Sequence, residues 1–388
     1  MLGRLLGRLP LGWLQLTHNR ARLAAALAGV AFANILVFMQ LGFLGALMGT
    51  VKLPYELLAG DIMISSSDAR TMTEGGNIAR QHMYKALAVP GVQRAAALYV
   101  GKVDWKQPSG GSTGMQVFGF EPAAVMFDDP EIQQLQPLLQ RLDYALIDRH
   151  TRNVDADILA AVARHHGVAT EINGRTVRLA DTFALGGGFS ADGYLLMSEQ
   201  SFLRLFAKRS AGAPNHIIVT LMPGASPAAV VEQLRAVLPA RSTQVRTLDQ
   251  AGADEQSYQT TEKPVGLIFG FGVVIGIMVG MIIVYQLLST DVADHLAEYA
   301  TLKAMGYPQR YFLGVVFEQA AILGLLGFIP GVLISLGLYA IVAQATALPV
   351  AMTAVRAGAI LVGTVVMCLV SGAIATRRLA AADPADLF

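Results

Sequence analysis

The side chains best placed to do chemistry are four polar ones close together in the sequence. They recur at i, i+3, i+4 and i+7, the spacing of one helix face: Asp291, Asp294, His295 and Glu298. These groups can form ion pairs and hydrogen bonds, but they belong to no catalytic motif. Asp294 and Glu298 are like charges four residues apart, which mildly destabilises an isolated helix. This face is therefore expected either to meet water or to meet a basic partner.

Other candidate motifs lack the residues that their chemistry needs. The sequence has no G-x-x-x-x-G-K-[ST], and the glycines at 186–188 have no lysine beside them, so they predict a flexible turn and not a phosphate cradle. It has no H-E-x-x-H, and the adjacent His165 and His166 would point apart on a helix. The single cysteine, Cys368, excludes an intramolecular disulfide. We therefore predict no enzyme activity, no cofactor and no metal site, and any ATP hydrolysis would need a separate subunit.

A glycine-rich apolar helix must position the polar face. Residues 264–290 are free of charge. They span about 40 Å as a helix, which is enough to cross a bilayer with some tilt. The run carries two small-xxx-small ladders, one of Gly266 and Gly270 and one of Gly272, Gly276 and Gly280. We interpret them as a helix-packing face, although membrane helices are glycine-rich in general.

A short second helix is predicted at 291–306. Thr290 or Asp291 can cap its start, and Gly306 followed by Pro308 would end it. Its remaining positions include Leu296, Tyr299, Leu302 and Lys303.

Composition indicates a membrane protein. The 388 residues are 54% hydrophobic and 15% charged, against about 25% charged in ordinary soluble domains. A net charge of +1 argues against nucleic-acid binding. The predicted segments are an amphipathic elbow helix at 1–22, transmembrane helices at 23–51, 264–290, 311–342 and 355–376, an inserted domain at 52–262, the helix at 291–306, and a tail at 377–388.

The first segments could in principle be a signal peptide. The basic, amphipathic segment 1–22 suits an interfacial helix, with a signal-peptide n-region as the alternative. The apolar run at 23–51 is far longer than the about 7–15 residues of a signal h-region, which favours a membrane helix. Asn34 and Gln40 inside it should face protein and not lipid. Glu318 in the third span is either a relay or a side chain that reaches the interface, and we favour the structural role.

The inserted segment 52–262 has the pattern of a folded domain. Strands are predicted near 61–66, 92–105, 115–120 and 243–247, and helices near 76–88, 130–141, 155–166 and 226–237. The predicted fold class is thus an all-α membrane part of four helices with a large α+β periplasmic domain inserted between helices 1 and 2.

Charge asymmetry predicts the orientation. Arg4, Arg8, Arg20 and Arg22 precede the first span, and Arg377 and Arg378 follow the last, whereas the loop at 345–353 has no Lys or Arg. By the positive-inside rule both termini are cytoplasmic. The helix at 291–306 would then be cytoplasmic and the inserted domain periplasmic.

Short strings along the chain carry a resemblance to a known family. They are VYQLLSTDV at 284–292, EYATLKAMGY at 298–307, FIPG at 328–331, LPVAM at 348–352, MCLVSG at 367–372 and ADPADLF at 382–388. In this order and spacing they resemble the permease family of FtsX, MacB and the lipoprotein-releasing permeases. The sequence is most similar to the DevC-type permease subunits of DevBCA-type ABC exporters.

The resemblance implies a mechanism and a set of partners. It implies a homodimer in the bacterial inner membrane with two copies of a cytosolic ABC ATPase (DevA-like), a periplasmic membrane-fusion adaptor (DevB-like), a TolC-like outer-membrane channel and membrane lipids. Such tripartite efflux works by mechanotransmission, with ATP-driven motion passed to the periplasmic domain to drive export of a glycolipid or another amphiphile. It places 291–306 against the ATPase, so the candidate coupling residues are Asp291, Asp294, His295, Leu296, Glu298, Tyr299, Leu302 and Lys303. The alternatives are FtsX-like signalling to periplasmic cell-wall hydrolases and lipoprotein extraction.

Overall fold

The computed structural model describes residues 11–107, 110–165, 167–295, 298, 301, 305–346 and 348–381. The chain forms two compact units. We call the first the helical unit; it comprises the chain up to Gly45, Val265–Ala345 and the chain from Val350 onward. The second, the α/β unit, comprises Ala46–Pro264 and Thr346–Pro349.

The described part of the chain contains α-helices, one 3₁₀ helix and nine β-strands. In order they are α1 (Leu11–His18), α2 (Arg20–Glu56), β1 (Ile62–Ser66), α3 (Gln81–Leu87), β2 (Val92–Lys106), β3 (Ser112–Phe120), α4 (Pro130–Leu135), a 3₁₀ helix (Gln136–Gln140), β4 (Tyr144–Asp148), α5 (Ala156–His165), β5 (Val168–Ile172), β6 (Arg175–Phe183), β7 (Gly193–Ser198), α6 (Glu199–Leu205), β8 (His216–Leu221), α7 (Pro227–Val237), β9 (Thr243–Thr247), α8 (Leu248–Thr261), α9 (Pro264–Asp294), α10 (Gln309–Thr346) and α11 (Ala354–Ala381).

Among the described residues, four helices are long and apolar enough to cross a membrane. They are α2, α9, α10 from Arg310 onward, and α11 as far as Thr376. Their number is the one predicted from the sequence. The helix predicted to end at 290 continues without a break to Asp294, because no glycine or proline interrupts the chain there. Asp291 and Asp294 therefore belong to α9 itself and not to a separate helix.

The helical unit has its own apolar core. Every described helix of the unit contributes a buried side chain to one cluster: Leu16, Val30, Leu288, Val316 and Cys368 come from α1, α2, α9, α10 and α11 in turn. Many other apolar side chains of α9 and α10 point outward, as expected of helices whose surroundings are lipid.

The α/β unit is built on a mixed nine-stranded sheet. The strand order is β5-β6-β4-β7-β3-β2-β8-β1-β9. The pairs β3–β7 and β4–β6 are parallel, and the other neighbouring pairs are antiparallel. Strands β8 and β9 are both antiparallel to β1, which lies between them.

Both faces of the sheet are covered by helices. Strand side chains alternate between faces, so Ile64 packs in one cluster with α3, α5, α6 and α7, whereas its neighbour Met63 packs in the other with the end of α2, α4 and α8. Side chains of β7 are buried along its whole length. The inserted domain thus combines a mixed sheet, antiparallel in six of its eight strand pairs, with helices on both faces.

Candidate coupling site

Arg22 joins α2 to the predicted acidic face. Its Nη2 lies 2.7 Å from Asp294 Oδ2, and its Nη1 lies 3.8 Å from Asp291 Oδ1. The two acids are three residues apart near the end of α9, so they share one helix face. Arg22 lies in the first turn of α2. One arginine thus bridges the start of α2 and the end of α9.

Asp291 is the buried centre of this group. Its residue is only 4% exposed, and a buried carboxylate needs charged or hydrogen-bonding partners. Gln319 of α10, fully buried, donates from Nε2 to Asp291 Oδ2 at 2.7 Å. The same Nε2 is 3.1 Å from Gln15 Oε1 of α1. Four helices therefore meet at Asp291 through polar contacts.

A cavity of about 270 Å³ opens beside this network. Its polar lining includes Gln15, His18, Asn19, Arg22, Asp294 and Glu298. His295 also lines it and turns back to the helix, with Nδ1 3.0 Å from the carbonyl oxygen of Asp291. Glu298 is exposed. Of the predicted polar face, Asp291 points inward, Asp294 is half-exposed, and Glu298 meets solvent.

Four of the predicted coupling residues lie outside the described part of the chain. They are Leu296, Tyr299, Leu302 and Lys303. The arrangement around Asp291 offers ion pairs and hydrogen bonds and no nucleophile next to a base. In the described ranges no cluster of three His, Cys, Asp or Glu side chains could hold a metal ion.

The second glycine ladder lies against other helices. A Cβ added to Gly280 would stand 2.6 Å from Met367 Sδ and 2.9 Å from Ala33 Cβ. Gly276 faces Val37 of α2 at 3.0 Å. Gly272 likewise faces the Gln40 side chain of α2. Glycine at these positions lets the α9 backbone approach α2 and α11 closely.

The first ladder is placed differently. Gly270 is exposed, and no atom outside its own helix lies within 4 Å of an added Cβ. Gly266 is half-buried. The two ladders thus lie in different surroundings, although the sequence pattern is the same.

The two polar residues predicted to face protein in the first span, Asn34 and Gln40, lie against other helices. Asn34 is 3% exposed and accepts a hydrogen bond from Thr364 Oγ1 at 2.6 Å. Gln40 packs on Gly272. Glu318 is half-buried, while its neighbour Gln319 carries the contacts to Asp291 and Gln15.

The α/β unit contains one pair that imitates a catalytic dyad. Ser65 Oγ lies 2.9 Å from His216 Nδ1, and His216 Nε2 lies 2.8 Å from the carbonyl oxygen of Met72. Both side chains are buried, and burial lowers the pKa of His216 to about 4. No substrate can reach the buried Ser65. The pair therefore holds strands β1 and β8 together inside the domain.

Sequence reasoning missed the two partners of Asp291 on other helices, Arg22 and Gln319, and Gln15, which accepts from Gln319. Arg22, Gln319 and Gln15 are far apart in the chain, and only the fold brings them together. One signal was available for Gln319: a polar side chain within an apolar span tends to face other helices.

Comparison with known proteins finds one family model that matches part of the chain. Residues 270–384, which include most of α9 and all of α10, match the FtsX-like permease C-terminal family. This match and the four apolar helices support a membrane permease of the ABC-transporter class. No curated protein sequence matches the chain.

Several solved domains show a weak similarity to about half of the chain. The periplasmic region of MacB from Actinobacillus actinomycetemcomitans is 9% identical and covers 53% of this chain and 95% of its own, with a TM-score of 0.33. The extracellular domain of the noncanonic ABC-type transporter YknZ from Gram-positive bacteria is 10% identical, covering 48% and 98%, with a TM-score of 0.33. A domain of a putative permease from Porphyromonas gingivalis is 13% identical, covering 50% and 89%, with a TM-score of 0.30.

Proposed function

We propose that the chain is the permease subunit of an ABC exporter of the DevC type, working as a homodimer with two cytosolic ATPase subunits. The observation that carries the proposal is the FtsX-like permease match over residues 270–384. The matched region contains a charged segment between two helices that are apolar enough to span a membrane. Such a segment can receive motion from a partner, whereas the chain has no nucleotide-binding motif of its own.

The polar network supports a route for that motion. Glu298 is exposed at the cavity, four residues beyond Asp294. Asp294 and Asp291 are paired with Arg22 of α2, and Asp291 is bonded to Gln319 of α10. A displacement at Glu298 would therefore reach α2 and α10 through side chains that already hold these helices together. Motion of α2 and α9 would then act on the α/β unit, the predicted periplasmic part.

Export would require partners on the other side of the membrane. These are a membrane-fusion adaptor and a TolC-like channel, with a glycolipid or another amphiphile as cargo. The test is purification of the chain from its native inner membrane, followed by identification of the proteins that remain bound. An ATPase with an adaptor supports export. An ATPase with a cell-wall hydrolase favours FtsX-like signalling, a lipoprotein carrier favours extraction, and the absence of any ATPase overturns the proposal.

Charge reversal tests the ATPase contact separately. Glu298→Lys should reduce ATPase co-purification and cargo-stimulated hydrolysis, because close charged pairs at a desolvated interface carry about 1.5–7 kcal/mol of coupling. Glu262→Lys is the matched control, since Glu262 is another exposed glutamate, at the end of α8. Equal ATPase binding by the two variants would show that Glu298 faces water.

Orientation is tested by reporter fusions. A reporter fused near residue 150 should be periplasmic, and one fused at residue 388 should be cytoplasmic. A cytoplasmic signal from the fusion near 150 would reverse the topology and remove the basis for export into a periplasmic adaptor.

A further inference from the structure

A tight turn of the α/β unit presents an aromatic ring at its tip. The backbone N–H of Gly188 donates to the carbonyl oxygen of Ala191 at 2.9 Å, which closes a turn around Phe189. Phe189 is 41% exposed, although Gly188 before it is buried. The ring at the tip of the turn is therefore free to meet whatever lies beside the turn.

The turn is tied down on both sides. Arg152 donates from Nη2 to the carbonyl oxygens of Gly188 and Ala191 and lies 3.3 Å from Asp192 Oδ1. The segment that leads into the turn is held by Asp148, whose buried carboxylate accepts from the backbone N–H of Gly186 at 2.9 Å. Gly186 has φ +103°, a conformation that favours glycine. The glycines predicted to form a turn at 186–188 thus lie in a turn whose backbone groups bond to Arg152 and Asp148.

The turn lies beside the ends of two membrane helices. A Cβ added to Gly188 would stand 2.7 Å from Thr50 Cβ of α2. Thr50 is the last residue but one of the charge-free run at 23–51, and Lys52 is the first charged residue after it. Arg152 also reaches 3.4 Å from Nη1 to the carbonyl oxygen of Thr346, where α10 ends. Thr50 thus lies beside the first charge after the apolar run of α2, and Thr346 is the last residue of α10.

We infer that Phe189 is a lipid anchor that inserts into the boundary between the headgroups and acyl chains of the outer leaflet. Aromatic side chains concentrate at this level of a membrane, because the ring leaves water while the attached polar chain stays hydrated. Lipid is the occupant that the position favours, since the helices that carry Thr50 and Thr346 are the ones that lipid surrounds. The inference depends on membrane insertion of α2 and α10, and its choice of leaflet depends on the proposed orientation. It does not depend on export or on an ATPase.

Spin labelling measures the depth of this residue directly. In a Cys368→Ala background, Phe189→Cys would carry a nitroxide, and the full chain would be placed in lipid nanodiscs. The control is Val237→Cys, at an apolar residue that is 51% exposed at the end of α7, on the sheet face opposite the end of α2. Oxygen concentrates in lipid and a nickel chelate in water. The measured quantity is the collision rate of the nitroxide with oxygen divided by its collision rate with the nickel chelate. This ratio should be several-fold higher for the label at 189 than for the label at 237.

Two results would overturn the inference. Equal ratios at 189 and 237 would show that the turn lies in water. Shielding of the label at 189 only after a co-purified protein is added back would identify a protein as the occupant in place of lipid. Because Phe189 is exposed and makes no hydrogen bond through its side chain, its replacement should leave the fold intact, and gel filtration of the labelled protein checks this.

Discussion

Replacing Arg22 with alanine should destabilise the helical unit much more than replacing Asp294 with alanine, although the two residues form one ion pair. The reason is that Arg22 also pairs with a second acid, Asp291. Asp294 keeps 49% of its side chain in solvent, so its loss should cost about 0–1 kcal/mol. Arg22 is the only arginine or lysine paired with Asp291 among the described residues, and Asp291 is buried.

The size of the expected loss in free energy of unfolding depends on which partners Asp291 keeps when Arg22 is removed. Removing one partner of a buried ion pair typically costs about 3–5 kcal/mol, because a charge is left buried without compensation. Here the distance from Arg22 Nη1 to Asp291 Oδ1 is 3.8 Å, and Asp291 keeps its hydrogen bond from Gln319. Both facts lower the penalty, so we expect Arg22→Ala to cost about 2–3 kcal/mol in free energy of unfolding.

A double-mutant cycle isolates the pair. Asp291→Asn removes the charge and keeps an oxygen that can accept from Gln319 Nε2. Arg22→Ala combined with Asp291→Asn should therefore recover about 2 kcal/mol relative to the sum of the single changes. The assay is unfolding of the purified chain in detergent, with Asp294→Ala as the control. Strict additivity of Arg22→Ala and Asp291→Asn would refute the reasoning, because it would mean that Asp291 does not depend on Arg22.

Two further predictions concern the glycine ladders and the pH dependence of the α/β unit. Gly280→Leu should destabilise the helical unit by about 1–3 kcal/mol through overpacking against Met367. The control, Gly270→Leu, should change the melting temperature little, because no atom outside the helix lies within 4 Å of a Cβ added to Gly270. Equal effects of the two substitutions would contradict the packing described. Burial lowers the pKa of His216 from 6.5 to about 4, so its contribution is complete above pH 6.5 and is lost as the pH falls towards 4. Unfolding of the full chain should lose about 3 kcal/mol over this range from His216 alone, and His216→Gln should flatten that part of the pH profile.

The strongly periodic parts of the fold were predictable from the sequence. Four long apolar runs became four helices, because runs of this length with hardly any charge have few other stable forms. Within 52–262 the helices near 130–141 and 226–237 lie where the pattern predicted them, at Pro130–Gln140 and Pro227–Val237. A proline in the first turn marks the start of both helices.

The order of the sheet could not be predicted in the same way. Strand β1 pairs with β8 and β9, more than 140 residues away in sequence. Alternation along a strand shows that it has two faces, but it does not say which strand lies next to it. Which helices cover each face of the sheet depends on that order.

The acidic face shows where local pattern is insufficient. The spacing of Asp291, Asp294 and Glu298 shows that they share a side of a helix, but it does not show whether that side points to a partner or to the rest of the same molecule. The run that precedes them is apolar, and polar groups attached to such a helix are favoured where other helices can pair with them. Asp291 follows this rule, since Arg22 and Gln319 hold it inside, whereas Glu298, two turns further along, is exposed. A charge reversal at Asp291 or Asp294 would therefore break an internal ion pair before it affected any partner. Glu298 is the acid of this face at which reversal tests the partner contact, because among the described ion pairs it has no internal counterpart to lose.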